Sequence, residues 1–341
     1  MIDLLVVGGG PVGLVTAIHA AHAGLEVRVI EPRDGLIDKA CGEGLMPEAL
    51  EHLSRIGIDP PGIDFFGIRY LAGERQVEAR FSGGPGRGVR RTTLQASLQQ
   101  RASELKIKFV DGHVEDIVQG NLFVEAAGIQ SRYLIGADGL HSTVRKVLGL
   151  EGTSSKQRAR HKRFGIRQHF SLAPWSDLVE VYWLSDVEVY VTPVDHHTVG
   201  IAILGQSTLD FYEIIARIPN LAKHLTSAQP TSKLRGAGPL RQPVRARSIG
   251  RVLLVGDASG YVDAITGEGL RVGFAEAEAA VRALCSNNPN SYEDEWKRVT
   301  RSYRWLTSGL LSASSNRIIR PMIVPAAQAL PGIFRRLVNS I

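Results

Sequence analysis

The stretch Leu4-Leu5-Val6-Val7-Gly8-Gly9-Gly10-Pro11-Val12-Gly13 carries the strongest structural signal in the chain. Four consecutive apolar residues ending in a glycine cluster read as a buried parallel strand, and Leu14 to Ala23, closed by Gly24, reads as the helix that follows it. In that arrangement Gly8 permits the sharp turn, Gly10 lets backbone approach a pyrophosphate, and Gly13 lets helix and strand pack closely. The helix N-terminus adds free amides and a partial positive charge. Glu26 to Ile30 reads as a second strand. It ends at Glu31, where a dinucleotide fold places the carboxylate that holds a ribose.

The rest of the chain is compatible with that beginning. Its 341 residues are 44% apolar, 22% charged and 6% aromatic, so disorder is excluded and one large or two intimate domains are expected. Cys41 and Cys285 cannot form a disulfide framework and lack metal-ligand spacing, so no metal site is expected. The N-terminal apolar run is broken by glycine and lacks a basic lead, unlike a signal peptide. Nor does any run of about 18 apolar residues mark a membrane span, so the expected compartment is the cytoplasm. The formal charge of +6 is unevenly placed. One basic run holds Lys156, Arg158, Arg160, Lys162, Arg163 and Arg167, and the C-terminal portion holds Lys297, Arg298, Arg301, Arg304, Arg317, Arg320, Arg335 and Arg336. Such runs read first as solvated faces. No nucleic-acid-binding motif accompanies them, so nucleic acid is excluded as a partner.

Three further segments specify the dinucleotide. Tyr133 to Gly139, with Asp138-Gly139 at a strand end and Ser142 and Arg145 beyond, resembles the "DG" fingerprint of flavoprotein hydroxylases. Arg251 to Val255 followed by Gly256-Asp257-Ala258 resembles their "GD" fingerprint, and Arg91, Leu94, Leu98 and Ala102 match their flavin-side helix. On these motifs the chain resembles the p-hydroxybenzoate hydroxylase superfamily. Gly256 to Gly269, together with Lys39-Ala40-Cys41-Gly42-Glu43-Gly44, is similar to its geranylgeranyl reductase-like branch. The prenyl reductases' aromatic signature is degraded here to Glu188-Val189-Tyr190-Val191-Thr192-Pro193, and the flavin halogenase signature is absent.

The resemblance implies bound FAD, with cofactor contacts at Gly8, Gly10, Pro11, Val12, Gly13, Glu31, Pro32, Arg33, Cys41, Gly42, Arg91, Asp138, Gly139, Gly256, Asp257, Gly267, Gly269 and Leu270. It places Cys41 beside the flavin as the candidate catalytic acid; read by itself, a partnerless cysteine is a small buried hydrophobe. Glycines at 267 and 269, opening a helix over Leu270 to Leu284, would let amides approach the flavin's pyrimidine edge, where reduction leaves negative charge. No second glycine fingerprint marks a separate NAD(P)H domain, so reduced nicotinamide is expected to bind transiently.

Short β-branched runs, Phe65 to Leu71, Gln76 to Phe81, Phe164 to Phe170, Leu178 to Leu184, Val187 to Thr192 and Val199 to Leu204, predict an antiparallel sheet. The expected fold is therefore α/β: a Rossmann-like FAD-binding domain of the glutathione-reductase type over 1–60, 90–152 and 248–285, a β-sheet substrate domain over 61–89 and 153–247, and a C-terminal tail, 286–341, of helices broken at Pro321, Pro325 and Pro331. Substrate should lie between sheet and flavin, with Tyr182, Trp183, Tyr190, His196 and His197 as candidate lining residues. The favoured activity is NAD(P)H- and oxygen-dependent hydroxylation of a lipophilic phenolic or polyketide-like molecule through a flavin hydroperoxide. The alternatives are reduction of isoprenoid double bonds and a non-catalytic flavin-binding redox sensor. Apolar residues of the tail are expected first to pack onto the domain and cover the pocket, and beside Arg335 and Arg336 they leave peripheral membrane contact open. The oligomeric state is not set by the sequence.

Overall fold

The computed structural model describes residues 1–152, 162–206 and 209–340. Its first layer grows from the strand Ile2–Val7, which pairs in parallel with Val27–Ile30 on one side and Ile129–Gly136 on the other. Val252–Leu254 and Lys108–Val110 extend this sheet in parallel at either side. Leu4, Leu5 and Val6 are wholly buried, as an apolar run between two covered faces requires. Helices Pro11–His22, Arg91–Glu104 and Gly269–Cys285 cover one face, with Leu14, Ile18, Leu98, Phe274 and Ala277 in a common core.

A second sheet carries Phe164–Ser171, Thr198–Gly205, Val187–Asp195, Val179–Trp183, Gly67–Ala72 and Arg75–Arg80, in that spatial order. It is mixed rather than antiparallel as expected, because Gly67–Ala72 pairs in parallel with Val179–Trp183. Those strands come from segments more than 100 residues apart, and no hairpin dictates their direction. Alternate residues point to opposite faces. Val189, Val191, Ile201 and Ile203 bury one face against the helices Phe211–Ala216 and Pro219–Leu225, leaving the other turned toward the first layer.

The tail begins with the long helix Tyr292–Ser315 packed on Gly269–Cys285. Two short helices, Ile323–Ala329 and Pro331–Val338, then lie over Arg75–Arg80. Pro331 starts a helix and Pro321 lies in a 3-10 turn. Pro325 corrects the expectation: it falls in the first turn of Ile323–Ala329, where its missing N–H has no intrahelical role, and breaks nothing.

The basic run also requires correction. Lys156, Arg158 and Arg160 lie outside the described residues, but Arg163 and Arg167 are buried rather than solvated. Arg163 pairs with Glu188 at 2.6 Å and Asp263 at 2.9 Å, and Arg320 of the tail pairs with the same Glu188 at 2.7 Å. This buried network joins the second sheet, the glycine-rich segment after Asp257 and the tail.

Candidate functional site

A cavity of about 720 Å³ lies between the two layers. Its floor is the elbow after the first strand. Gly8 has φ +107°, and an added Cβ would meet the Ala137 carbonyl oxygen at 2.6 Å. A Cβ at Gly13 would run into the Gly8 carbonyl oxygen. These glycines are therefore required by the protein's own packing. Gly10 differs: a Cβ there would meet nothing nearer than Arg91 Nη2 at 3.9 Å. Gly10 is the N-cap of Pro11–His22 and supplies no side-chain cap, so that helix presents free amides to the cavity. The buried Gln95 amide fixes the elbow by donating to the Gly9 carbonyl at 2.7 Å.

The first wall joins both aspartate fingerprints. Arg145 is almost wholly buried and donates to the carbonyls of Leu140, Asp257 and Ala258 at 2.8, 3.2 and 3.1 Å, tying one fingerprint to the other. Asp138 lines the cavity, yet its Oδ2 accepts from the Thr143 and Val144 amides at 2.6 and 3.1 Å and so caps the short helix Thr143–Val147. The Asp257 carboxylate faces the cavity without a hydrogen bond among the described residues. Burial pushes its pKa up, with Lys39, Arg91 and Arg145 opposing. Behind it, Glu276 Oε2 accepts from the Gly256 amide at 2.6 Å and Ser259 Oγ at 2.9 Å, and burial raises this carboxyl to about 8.

Pro11, Val12, Arg33, Cys41, Gly42, Arg91, Gly139, Gly256, Gly267, Gly269 and Leu270 also line the cavity. Gly8 and Gly13 lie beneath it as framework. Glu31 stands at the strand end, where Oε2 accepts from the Gly9 amide at 2.8 Å and Oε1 from Arg33 Nε at 2.6 Å. Burial opposes ionisation, but these bonds prevail and hold its carboxyl below the usual range. Pro32 is exposed and does not line the cavity.

The opposite wall is aliphatic. Ile68, Val179, Val181, Ala202 and Leu204 present their side chains from the second sheet, with Tyr190 and Thr192 among them. Of the five substrate candidates only Tyr190 belongs here, donating its hydroxyl to the Ile265 carbonyl at 2.8 Å. Strand alternation sends Tyr182, next to Val181, to the far face, where its hydroxyl donates to Glu180 at 2.8 Å. Trp183 has the parity of Val181 but lies at the strand end, edge-on to Tyr70 with ring centroids 5.3 Å apart. His196 and His197 sit exposed in the turn between Val187–Asp195 and Thr198–Gly205.

Between the walls, sequence reasoning missed a buried polar cluster. Glu43 has φ +60° and an almost inaccessible side chain, whose Oε1 accepts from the Arg91 amide at 2.8 Å. Its Oε2 lies 2.5 Å from His169 Nε2, and His169 Nδ1 lies 2.9 Å from Ser232 Oγ. Arg167 reaches the same histidine at 3.1 Å and pairs with Asp38. The Glu43 backbone N–H donates to Cys41 Sγ at 3.4 Å, so the cluster positions the cysteine loop. Burial pushes the Cys41 thiol up; Arg91 is the largest influence opposing it. The segment Lys39 to Gly44 stood out in the sequence, but no local signal linked it to His169, 126 residues away.

The cavity fits FAD by its own chemistry. It offers free helix amides beside Arg33, a buried Arg91 Nε without a partner, the unbonded Asp257 carboxylate, and a Gly10 that no protein neighbour requires. The FAD binding domain family matches residues 1–61 and 110–288. A menaquinone reductase from Mycolicibacterium smegmatis is 25% identical over 343 residues, spanning 88% of this chain and 80% of its own. A digeranylgeranylglycerophospholipid reductase from Methanosarcina acetivorans is 28% identical, spanning 87% and 81%. A 3-(3-hydroxy-phenyl)propionate/3-hydroxycinnamic acid hydroxylase from Mycobacterium avium is 31% identical, but over 46% of this chain and 33% of its own. The crystal structure of a flavoprotein/dehydrogenase from Cytophaga hutchinsonii superposes with TM-score 0.78 at 18% identity, covering 99% of this chain and 96% of that one. With its glycine elbow, its two cross-linked aspartate turns and the family match over most of its length, the chain belongs to the FAD binding domain family and is an FAD-dependent oxidoreductase.

Proposed function

We propose that this oxidoreductase reduces carbon–carbon double bonds in an isoprenoid lipid, drawing electrons from transiently bound NAD(P)H. One observation carries the reading: the aliphatic wall of Ile68, Val179, Val181, Ala202 and Leu204 lines the same cavity as Cys41 and the Gly267 to Gly269 turn. A hydrocarbon chain loses nothing by leaving water against such a wall. Burial pushes the Tyr70 and Tyr190 hydroxyls beside that wall above the usual tyrosine range, so both stay protonated and neither serves as base to a phenol. The two reductase relatives, each matched over 80% or more of its own length, support the same choice.

When bound, FAD supplies the two-electron chemistry, a hydride for one alkene carbon. Cys41 supplies the matching proton to the second carbon. Its raised pKa keeps Sγ–H intact at neutral pH, and Arg91 stabilises the thiolate left behind until water returns the proton. The backbone N–H of Glu43, itself fixed by His169, holds that sulfur in place. Arg33, Lys39 and Arg91 line the cavity as counter-charges for an anionic cofactor, and Asp257 serves as acceptor for a hydroxyl-bearing chain.

Hydroxylation is the second reading, favoured by the Mycobacterium avium relative. The deciding experiment incubates FAD-loaded protein with NADPH and a menaquinone or a geranylgeranyl lipid, without oxygen. A product richer by two hydrogens per reduced bond is expected. Turnover that requires oxygen and inserts an oxygen atom into a phenol overturns the proposal, and NAD(P)H consumption by neither substrate class favours the sensor.

A further inference from the structure

From Trp296 to Ile341 the chain contains no aspartate or glutamate and eight lysines and arginines, whereas the preceding 295 residues carry a formal charge of −2. The whole positive excess of the protein thus resides in its last 46 residues. Arg301, Arg317, Arg335 and Arg336 are exposed and form no ion pair among the described residues. Charges not balanced within their own surface attract an external anion.

The same segment exposes apolar side chains beside those arginines. The helix Pro331–Val338 has two apolar stripes at four-residue spacing. Phe334 and Val338 form the inner one, 6% and 2% exposed, and pack with Tyr70 and Trp183 of the second sheet. Ile333 and Leu337 form the outer one, 53% and 40% exposed, with Arg336 next round the helix. The turn before the short helices adds Ile318 at 84% and Met322 at 56%, beside Arg317. The segment is nonetheless held firmly. Arg320 donates to the carbonyls of Leu184 and Ser314 at 2.6 and 3.0 Å, and Asn339 Oδ1 accepts from the Ser82 amide at 2.6 Å. Its outer residues are therefore presented by a fixed scaffold.

We propose that this face docks on an anionic lipid bilayer. Ile318, Met322, Ile333 and Leu337 enter the headgroup region while Arg317, Arg335 and Arg336 meet phosphates. A helix that offers one apolar stripe to its own protein and a second to solvent, bordered by arginine, lies in the plane of an interface. Among the described residues no helix is long and apolar enough to cross a membrane, so the contact is peripheral. The inner stripe belongs to a cluster that also holds Ile68, Val179 and Val181, so the docking helix packs on the same sheet face that lines the cavity.

The test is co-sedimentation of FAD-loaded protein with vesicles of phosphatidylcholine alone and of phosphatidylcholine containing a quarter phosphatidylglycerol. Binding to the anionic vesicles, weakened by salt, is expected. Replacing Arg335→Ser and Arg336→Ser together lowers partitioning roughly 30-fold, on the basis of about fivefold per surface arginine. Replacing Ile333→Ser and Leu337→Ser weakens it with the salt dependence retained. All these side chains are exposed, and unchanged flavin absorbance confirms that each variant folds. Wild-type protein that stays in the supernatant overturns the proposal, as does binding indifferent to both double variants. Concentration-dependent self-association abolished by Ile333→Ser and Leu337→Ser, without vesicle binding, also overturns it and assigns the face to a second copy of the chain.

Discussion

The two walls of the cavity are built on opposite principles. On the dinucleotide side the chain works through backbone: Gly8 and Gly13 sit where any side chain would strike a carbonyl, and Arg145 clamps three carbonyls so that the two aspartate turns cannot move apart. On the sheet side it works through side chains, with alternate residues of several strands contributing aliphatic surface to the cavity. The first kind of wall tolerates almost no change of shape and the second tolerates many.

Four substitutions test whether the two walls differ in this way. The largest effect is expected for Gly13→Ala on the backbone-built side. Its Cβ would collide with the Gly8 carbonyl, which cannot yield without opening the strand and helix, and a loss on the order of 4 kcal/mol with no retained FAD is expected by denaturant unfolding and absorbance. A variant that stays yellow and stable would show that the elbow is softer than its packing implies. Next, Cys41→Ala is expected to lower turnover about 100-fold with FAD content unchanged, the usual consequence of losing a positioned acid. Unchanged turnover would remove the thiol from the chemistry.

On the side-chain-built wall, Ala202→Trp adds bulk beside Leu204. A KM for the lipid about tenfold higher, with flavin binding unaffected, is expected because such walls discriminate by volume. Loss of FAD in this variant would mean that the walls are not independent. The smallest effect concerns Glu276. Its carboxyl titrates near 4.5 in the unfolded chain and near 8 in the fold, so the native state holds a proton that the unfolded chain has released, and stability falls as pH rises between those values. Glu276→Gln lacks this term. Relative to the wild type it is expected to gain about 1 kcal/mol between pH 7 and pH 8 in urea titrations. Parallel pH profiles would show that the buried carboxyl is already ionised.

Residues 4 to 13, the acid at 31 and the two aspartate turns were sufficient to announce a dinucleotide fold and its cofactor, because each demand there is local. A glycine is required by the neighbouring carbonyl, an elbow by the strand and helix that flank it, and such demands leave their mark at fixed spacing in the chain. The aliphatic strands were legible too, but their faces were not. A shift of one position carries Tyr182 away from the cavity while Val181 lines it, and a strand ending carries Trp183 against Tyr70. Glu43, Arg167 and His169 were beyond the reach of any local reading. Their meeting depends on a loop and a strand 126 residues apart closing on each other, and only burial makes their hydrogen bonds obligatory. The cofactor's cradle was legible along the chain because backbone geometry is encoded by the residues that form it. What faces the cavity emerged only once the chain was folded, because that depends on which distant side chains are removed from water together.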